Sequence, residues 1–279
     1  LKHPVNLAYE AATADLNDVN MIDPFHLEAY GKTTVNYNRD VEIFPVLEAM
    51  FRRIYGESPY KSPTDMGVNM IGFCISDDAV CCEAAKQEII RRYYTTACAV
   101  HQGFSDAVET RRIELVMSSA GLSSADRPVV AAALDRAAAT GAPAMSIQLA
   151  DGRIITGKTT SLLGAASACL MNALKALAGI DKKMLLIPPS IIEPIQHLKV
   201  EHMGNHNPRL HTDELLIALS ICAVTNPIAG YAIDQLEKLR GCEAHSTVIL
   251  SHVDQEQFKK LGVNLTCEPR YQAKKLFHK

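Results

Sequence analysis

Along residues 1–140 the apolar positions recur mainly at helical spacing. Val41, Phe44, Leu47, Phe51 and Ile54 mark one face, with Asp40 as an N-cap and Gly56 as the stop. Ala85, Ile89, Ile90, Tyr93, Tyr94, Ala97 and Cys98 mark another. Between them, GESPYKSPTDMGVNMIG has two prolines and three glycines and no period, so it reads as loop. The Ala-rich run 129–139 predicts a short helix, and TGAPA (140–144) is the best domain boundary. The pattern then changes. AMSIQLADGRIITGK predicts two strands joined by a turn at Asp151-Gly152. A helix apolar on nearly all faces follows from about Thr160 to Ala178, then a short strand in KMLLIPP. IEPIQHLKVEHMG reads as helical. A further helix starts at Thr212, and Asn226-Pro227 restarts it. HSTVILS is a strand, DQEQFKKLG a turn or two of helix, and NLTCEP a last strand. The expected architecture is a mainly helical region, 1–140, followed by a mixed-sheet α/β sandwich, 141–279, in the α+β or α/β class.

Composition narrows the partners. Hydrophobic residues make up 48% of the 279, charged residues 21%, and the formal net charge is -3. With no basic excess and no Lys/Arg-rich run, nucleic acid and anionic membranes are not expected partners. The most apolar run, Leu162 to Leu177, is interrupted by Gly164, Ser167, Asn172 and Lys175, so no membrane span is expected. No signal-peptide pattern is present. The eight cysteines include no Cys-x-x-Cys pair and read as buried thiols of a reducing cytoplasm. Cys81-Cys82 is a weak nucleophile candidate.

One string carries an apparent nucleotide motif. Gly152, four residues, then Gly157-Lys158-Thr159 spells a P-loop. A P-loop needs a strand that ends at the first glycine and four residues that curl around phosphate. Here Gly152 falls in the hairpin turn, and Ile154-Ile155 favours extended backbone. What survives is a narrower expectation: Lys158, Thr159 and Thr160 as an anion contact at a helix start, against the plainer reading of Thr159 or Thr160 as a helix cap.

The hairpin–helix–strand order is similar to the cytidine-deaminase-like sandwich. The zinc signature of that fold is missing: Gly-Lys-Thr stands where His-x-Glu belongs, and PPSIIEP where Pro-Cys-x-x-Cys belongs. His26-Leu27-Glu28 spells His-x-Glu far from any cysteine pair. Fold analogy alone assigns no function.

Polar residues concentrate in three other places. EHMGNHNPRLHTDE (201–214) holds His202, His206, His211, Asp213 and Glu214. Its readings are a metal pair at His202 and His206, an acid/base histidine, or a solvated loop. VNYNRDVE supplies Asn38 and Arg39. YKSPTDMGVN supplies Lys61, Ser62, Thr64, Asp65 and Asn69. Capping and local turn bonds would also account for these last two strings. The arginines of RRYY (91–94) read as a solvated face and its tyrosines as core or interface.

Several strings together are distinctive: ATADLNDVNMIDPFHLEAYG, VNYNRDVEIFPVL, YKSPTDMGVNMIGF, EIIRRYY, DGRIITGKTTSLLGAAS and NHNPRLHTDELLIALS. On them the chain resembles the bacterial uncharacterised protein family 0371 over nearly its whole length. The resemblance implies a cytoplasmic bacterial protein, with a further α/β part before the point where this chain begins at Leu1. It implies no activity and supplies no catalytic residues.

The leading expectation is an enzyme, or part of one, that binds a small anionic metabolite, phosphorylated or nucleotide-like. Lys158, Thr159 and Thr160 would hold the anion, with Asn38, Arg39, Lys61 and Asp65 meeting it from the helical region. His206 or His211, with Asp213, would supply acid/base chemistry. No cofactor is specified. The alternatives are a homo-oligomerisation or regulatory module, with the Ala-rich and RRYY helices in subunit contacts, and a metal hydrolase built on the histidine cluster.

Overall fold

The computed structural model describes residues 38–59 and 78–272. Lys61, Ser62, Thr64, Asp65, Asn69 and the His26–Glu28 string lie outside them, as do the side chains of Asn38, Arg39, Cys81 and Cys82. The chain divides into two compact units, Leu1–Arg127 and Pro128–Lys279. The sequence places the division one helix later, at 140/141.

In the first unit, α1 (Asn38–Tyr55), α2 (Asp78–Gln102) and α3 (Ala107–Ser119) pack on one another. The apolar face of α2 is the expected one: Ile89, Ile90, Tyr94 and Ala97 are buried, as are Ile113 and Met117 of α3. Asp106 caps α3 by accepting the Val108 N–H at 3.0 Å. The arginines of RRYY are not a solvated face. Arg91 and Arg92 are 11% and 19% exposed, and both bind the carboxylate of Glu88, at 2.9 and 3.1 Å. Helical spacing placed them on the same side as Glu88, at i+3 and i+4.

The second unit is built on a four-stranded sheet ordered β2-β1-β3-β4, with β1 (Ala144–Gln148), β2 (Ile154–Lys158), β3 (Glu243–Ser246) and β4 (Asn264–Cys267). β1 runs antiparallel to β2 and β3, and β3 is parallel to β4. The hairpin turn forms where the sequence predicts it. Gly152 has φ +83°, Gly152 N–H donates to Leu149 O, and the Asp151 carboxylate accepts the Arg153 N–H. Gly152 is therefore a turn residue and Gly157 a strand residue, which excludes a P-loop.

Side chains alternate along β1. Ser146 faces α4 (Pro128–Thr140), where its hydroxyl donates to Val129 O. Met145 and its partner Gly157 point the other way, toward α5 (Ala165–Ala178). With helices on both faces, β1 is buried almost throughout. Gly157 sits so close to α5 that an added Cβ would lie 2.2 Å from Cys169 N and 2.6 Å from Ala168 C.

Three expected elements differ, one of them HSTVILS, of which only His245-Ser246 lie in a strand, β3. The helix after β2 begins at Ala165 rather than Thr160. KMLLIPP forms no strand: the Lys175 ammonium binds the Lys182 and Met184 carbonyls, and Pro188-Pro189 lacks the N–H donors of a ladder. Leu186 and Ile187 are buried without strand pairing. A deaminase-like topology needs that strand directly after α5, so the sheet does not establish one. Instead α6 (Pro189–His197), a π turn (Leu198–His202), α7 (Thr212–Ala223) and α8 (Pro227–Ile233) intervene before β3. α9 (His252–Lys260) then crosses over to β4.

Candidate functional site

The loop after β3 leaves the carboxyl end of the parallel pair and delivers Ser251 and Asp254 to the start of α9. That end of an open α/β sheet is where ligand-handling residues collect. α7 begins at the same point, with His211 as its N-cap. Asp254, 6% exposed, joins the two helix starts. Its Oδ1 accepts the Thr212 N–H at 2.9 Å and the Thr212 hydroxyl at 3.0 Å. Its Oδ2 accepts the Ser251 hydroxyl at 2.7 Å and meets His211 Nδ1 at 2.9 Å.

The electrostatics follow from this wiring. Burial works against the Asp254 charge, but the His211 hydrogen bond and charge, the Thr212 N–H and the Ser251 hydroxyl outweigh it. The carboxyl is held below its ordinary value. The Asp254 hydrogen bond raises His211, against partial burial. Ser, His and Asp are all present, but not as a nucleophilic triad. A triad serine addresses Nε2, whereas Ser251 lies 3.3 Å from Nδ1 and donates to Asp254. The trio orients the imidazole.

A second layer ties this network to the seam beside it. Lys199, 3% exposed, donates to Glu214 Oε2 and to Arg209 O, each at 2.7 Å. The same Glu214 oxygen accepts the His211 N–H at 2.8 Å. Residues 160–164 and 209–210 then run side by side: Leu210 N–H donates to Leu162 O, and Gly164 N–H to Leu210 O. The Ser167 hydroxyl also donates to Leu210 O, at 2.8 Å, and Arg209 Nε donates to Thr160 O at 2.7 Å.

Two stretches selected from sequence, 158–160 and 206–213, are thus joined. Lys158 ends β2, half-buried opposite Ala144. Thr159 N–H is taken by Pro143 O. Neither threonine caps α5, whose N-cap is Gly164. Thr160 Oγ1 instead accepts the Leu162 and Leu163 N–H groups at 3.2 and 3.0 Å. Thr160→Val is therefore expected to destabilise the unit by about 1 kcal/mol, as loss of a capping side chain does. Urea unfolding of the two forms measures it.

His206 lies exposed in the loop, and Asp213 is half-buried beside the network, its Oδ1 without a hydrogen-bond partner among the described residues. His202 packs its ring on His197, 5.3 Å between centroids, rather than pairing with His206. Among the described residues no three His, Cys, Asp or Glu side chains are grouped to hold a metal ion. Sequence reasoning missed Ser251, Asp254, Lys199 and Arg209. Only Arg209 stood in a stretch singled out for its polar chemistry; the others lay in stretches read only as strand or helix.

The family models divide the chain as the structure does. The N-terminal model of the domain of unknown function DUF1846 matches residues 1–121, and its C-terminal model matches 125–277. The chain belongs to the DUF1846 family. This DUF1846 chain is 58% identical over 279 residues to the UPF0371 protein of Corynebacterium efficiens. It is 56% identical to that of Streptococcus thermophilus and 54% identical to that of Streptococcus pneumoniae. Each alignment covers 100% of the chain and 56% of the relative. The DUF1846 chain thus spans little more than half the length of these bacterial relatives. Among its described residues no helix is long and apolar enough to cross a membrane.

Proposed function

We propose that the C-terminal unit binds a small anionic metabolite along the seam between residues 158–164 and 209–214, with His211, oriented by Asp254, exchanging a proton with it. The observation that carries this is Arg209. Its Nε holds the Thr160 carbonyl across the seam, while its terminal nitrogens have no protein partner among the described residues. A half-buried guanidinium fixed at one nitrogen presents its remaining donors in the fork that matches phosphate or carboxylate. Lys158 and Thr159 border the same strip, and His211 follows Arg209 by two residues. Asp254 meets His211 at Nδ1 and orients the ring, as a carboxylate does for a histidine in acid/base catalysis. The cytoplasm is the proposed location, in keeping with Cys169, Cys222 and Cys242, which are buried thiols outside any disulfide.

The test is a thermal-shift screen of phosphorylated and carboxylated metabolites on the full chain. A ligand of the native state raises the melting temperature by mass action. Arg209→Ala should abolish the shift, and Arg111→Ala, on the other unit, should leave it intact. A shift that survives Arg209→Ala removes the seam from the model.

A further inference from the structure

α7 and α8 carry apolar residues on two sides. Leu215, Ala218, Leu219 and Cys222 of α7 are buried, and α7 packs against α5 and α9. Yet Ile217, Ile221 and Val224, at i, i+4 and i+7, are 60%, 56% and 83% exposed. On α8, Ala229 and Ala232 are buried, while Ile228 and Tyr231 are 41% and 53% exposed. The two stripes adjoin at Val224, where α7 passes into the short turn before α8. A helix apolar all round is a helix buried all round, so the outer stripe of α7 lacks its cover.

We infer that a second copy of this chain covers the Ile217–Tyr231 stripe, forming an isologous dimer. Charge selects this occupant. From Leu215 to Ile233 there is no Asp, Glu, Lys or Arg. A two-fold pairing sets a surface against itself, so any net charge on it would repel its own copy; a charge-free stripe carries no such penalty. An oppositely charged partner, in turn, would find nothing there to recognise. The size also suits a dimer. Five large side chains reach the several hundred Å² that mark an interaction face, and exposed Ser220, Thr225 and Pro227 extend it toward the roughly 800 Å² per partner of a stable interface. Ridges at i, i+4 and i+7 on one copy fit the grooves of the same pattern on the other. α5, by contrast, is core of its own unit, with Ala166, Cys169, Leu170 and Ala173 buried.

This inference is independent of the anion seam and is tested separately. Sedimentation of the full chain over a concentration series should show a dimer mass. Ile221→Lys and, separately, Ile217→Lys should halve that mass while the far-UV circular dichroism and melting temperature stay those of a folded chain. A second readout covers a variant that folds poorly. A nitroxide on Thr225→Cys of the otherwise unchanged chain should show a dipolar distance between copies, lost on dilution with unlabelled chain. A monomer at the highest soluble concentration, or a dimer that persists in both lysine variants, overturns the proposal. So does a stripe already covered in the full-length Corynebacterium efficiens relative while that protein sediments as a monomer.

Discussion

Gly157→Ala is expected to lower the melting temperature of the C-terminal unit by roughly 10 °C, from about 3 kcal/mol of lost stability in a unit of this size. Backbone freedom is not the cause, because Gly157 has no left-handed φ. The cause is contact. The missing Cβ would stand 2.2 Å from Cys169 N and 2.5 Å from Cys169 Cα. Both are backbone atoms of a buried helix, so no rotamer change relieves the clash. α5 must move off β2, and with it Cys169, Leu170 and Leu174, which are fully buried. The Asn172 amide bond to Thr156 O, 2.9 Å long, would stretch as well. Scanning calorimetry of the variant checks this. Gly152→Ala is the contrasting control: nothing lies within 4 Å of its Cβ, and its cost comes from the φ of +83° alone. A melting temperature for Gly157→Ala within about 2 °C of wild type, where differences well under 1 kcal/mol fall, would mean that the helix is not seated as tightly as it stands here.

The two glycines also show what the sequence could and could not tell. The order Gly152, Ile154-Ile155, Gly157 was enough to separate turn from strand, because β-branched residues and a two-residue turn signal are local features. The packing role of Gly157 was not local. It depends on a helix arriving from residues 165–178, and a small residue in a strand does not announce its neighbour. The same distinction explains KMLLIPP, which is as apolar as a buried strand. Whether such a run pairs depends on an unoccupied sheet edge, and the edges here are β2 and β4. The Met184 carbonyl of that segment, with the Lys182 carbonyl just before it, goes to Lys175 instead, a residue that reads in the sequence only as an interruption of an apolar helix. At the candidate site, the stretch 206–213 stood out because histidines are rare and were clustered. Asp254 did not, because one aspartate near the start of an amphipathic helix is ordinary. Its importance comes from the meeting of two helix starts, through a bond between residues 42 apart in sequence.

Asp254→Ala is expected to cost the unit about 3–5 kcal/mol, the range for removing one partner of a buried, hydrogen-bonded charge pair. The substitution strands the Thr212 N–H and hydroxyl, which are fully buried, and the Ser251 hydroxyl, and it takes away the anchor of His211. It should also change how stability varies with pH, and here the two partners contribute with opposite signs. His211 has a folded-state pKa raised by Asp254. Its contribution is fully present below its unfolded value of about 6.5 and is lost as pH rises through the folded value. Asp254 has a lowered folded-state pKa. Its contribution is present above its unfolded value of about 3.9 and is lost as pH falls through the folded value. The pair therefore stabilises most between about pH 4 and 6.5, with a decline on either side. Denaturant unfolding from acid to mildly alkaline pH should show that decline in the wild type and a flatter profile in Asp254→Asn, which keeps the shape of the side chain but not its charge. His211→Gln should flatten the alkaline limb and leave a weakened acid limb, because Thr212 and Ser251 still hold the carboxylate. If the wild-type profile is flat from pH 5 to 8, His211 and Asp254 do not share a proton in the folded protein, and the acid/base role assigned to His211 loses its support.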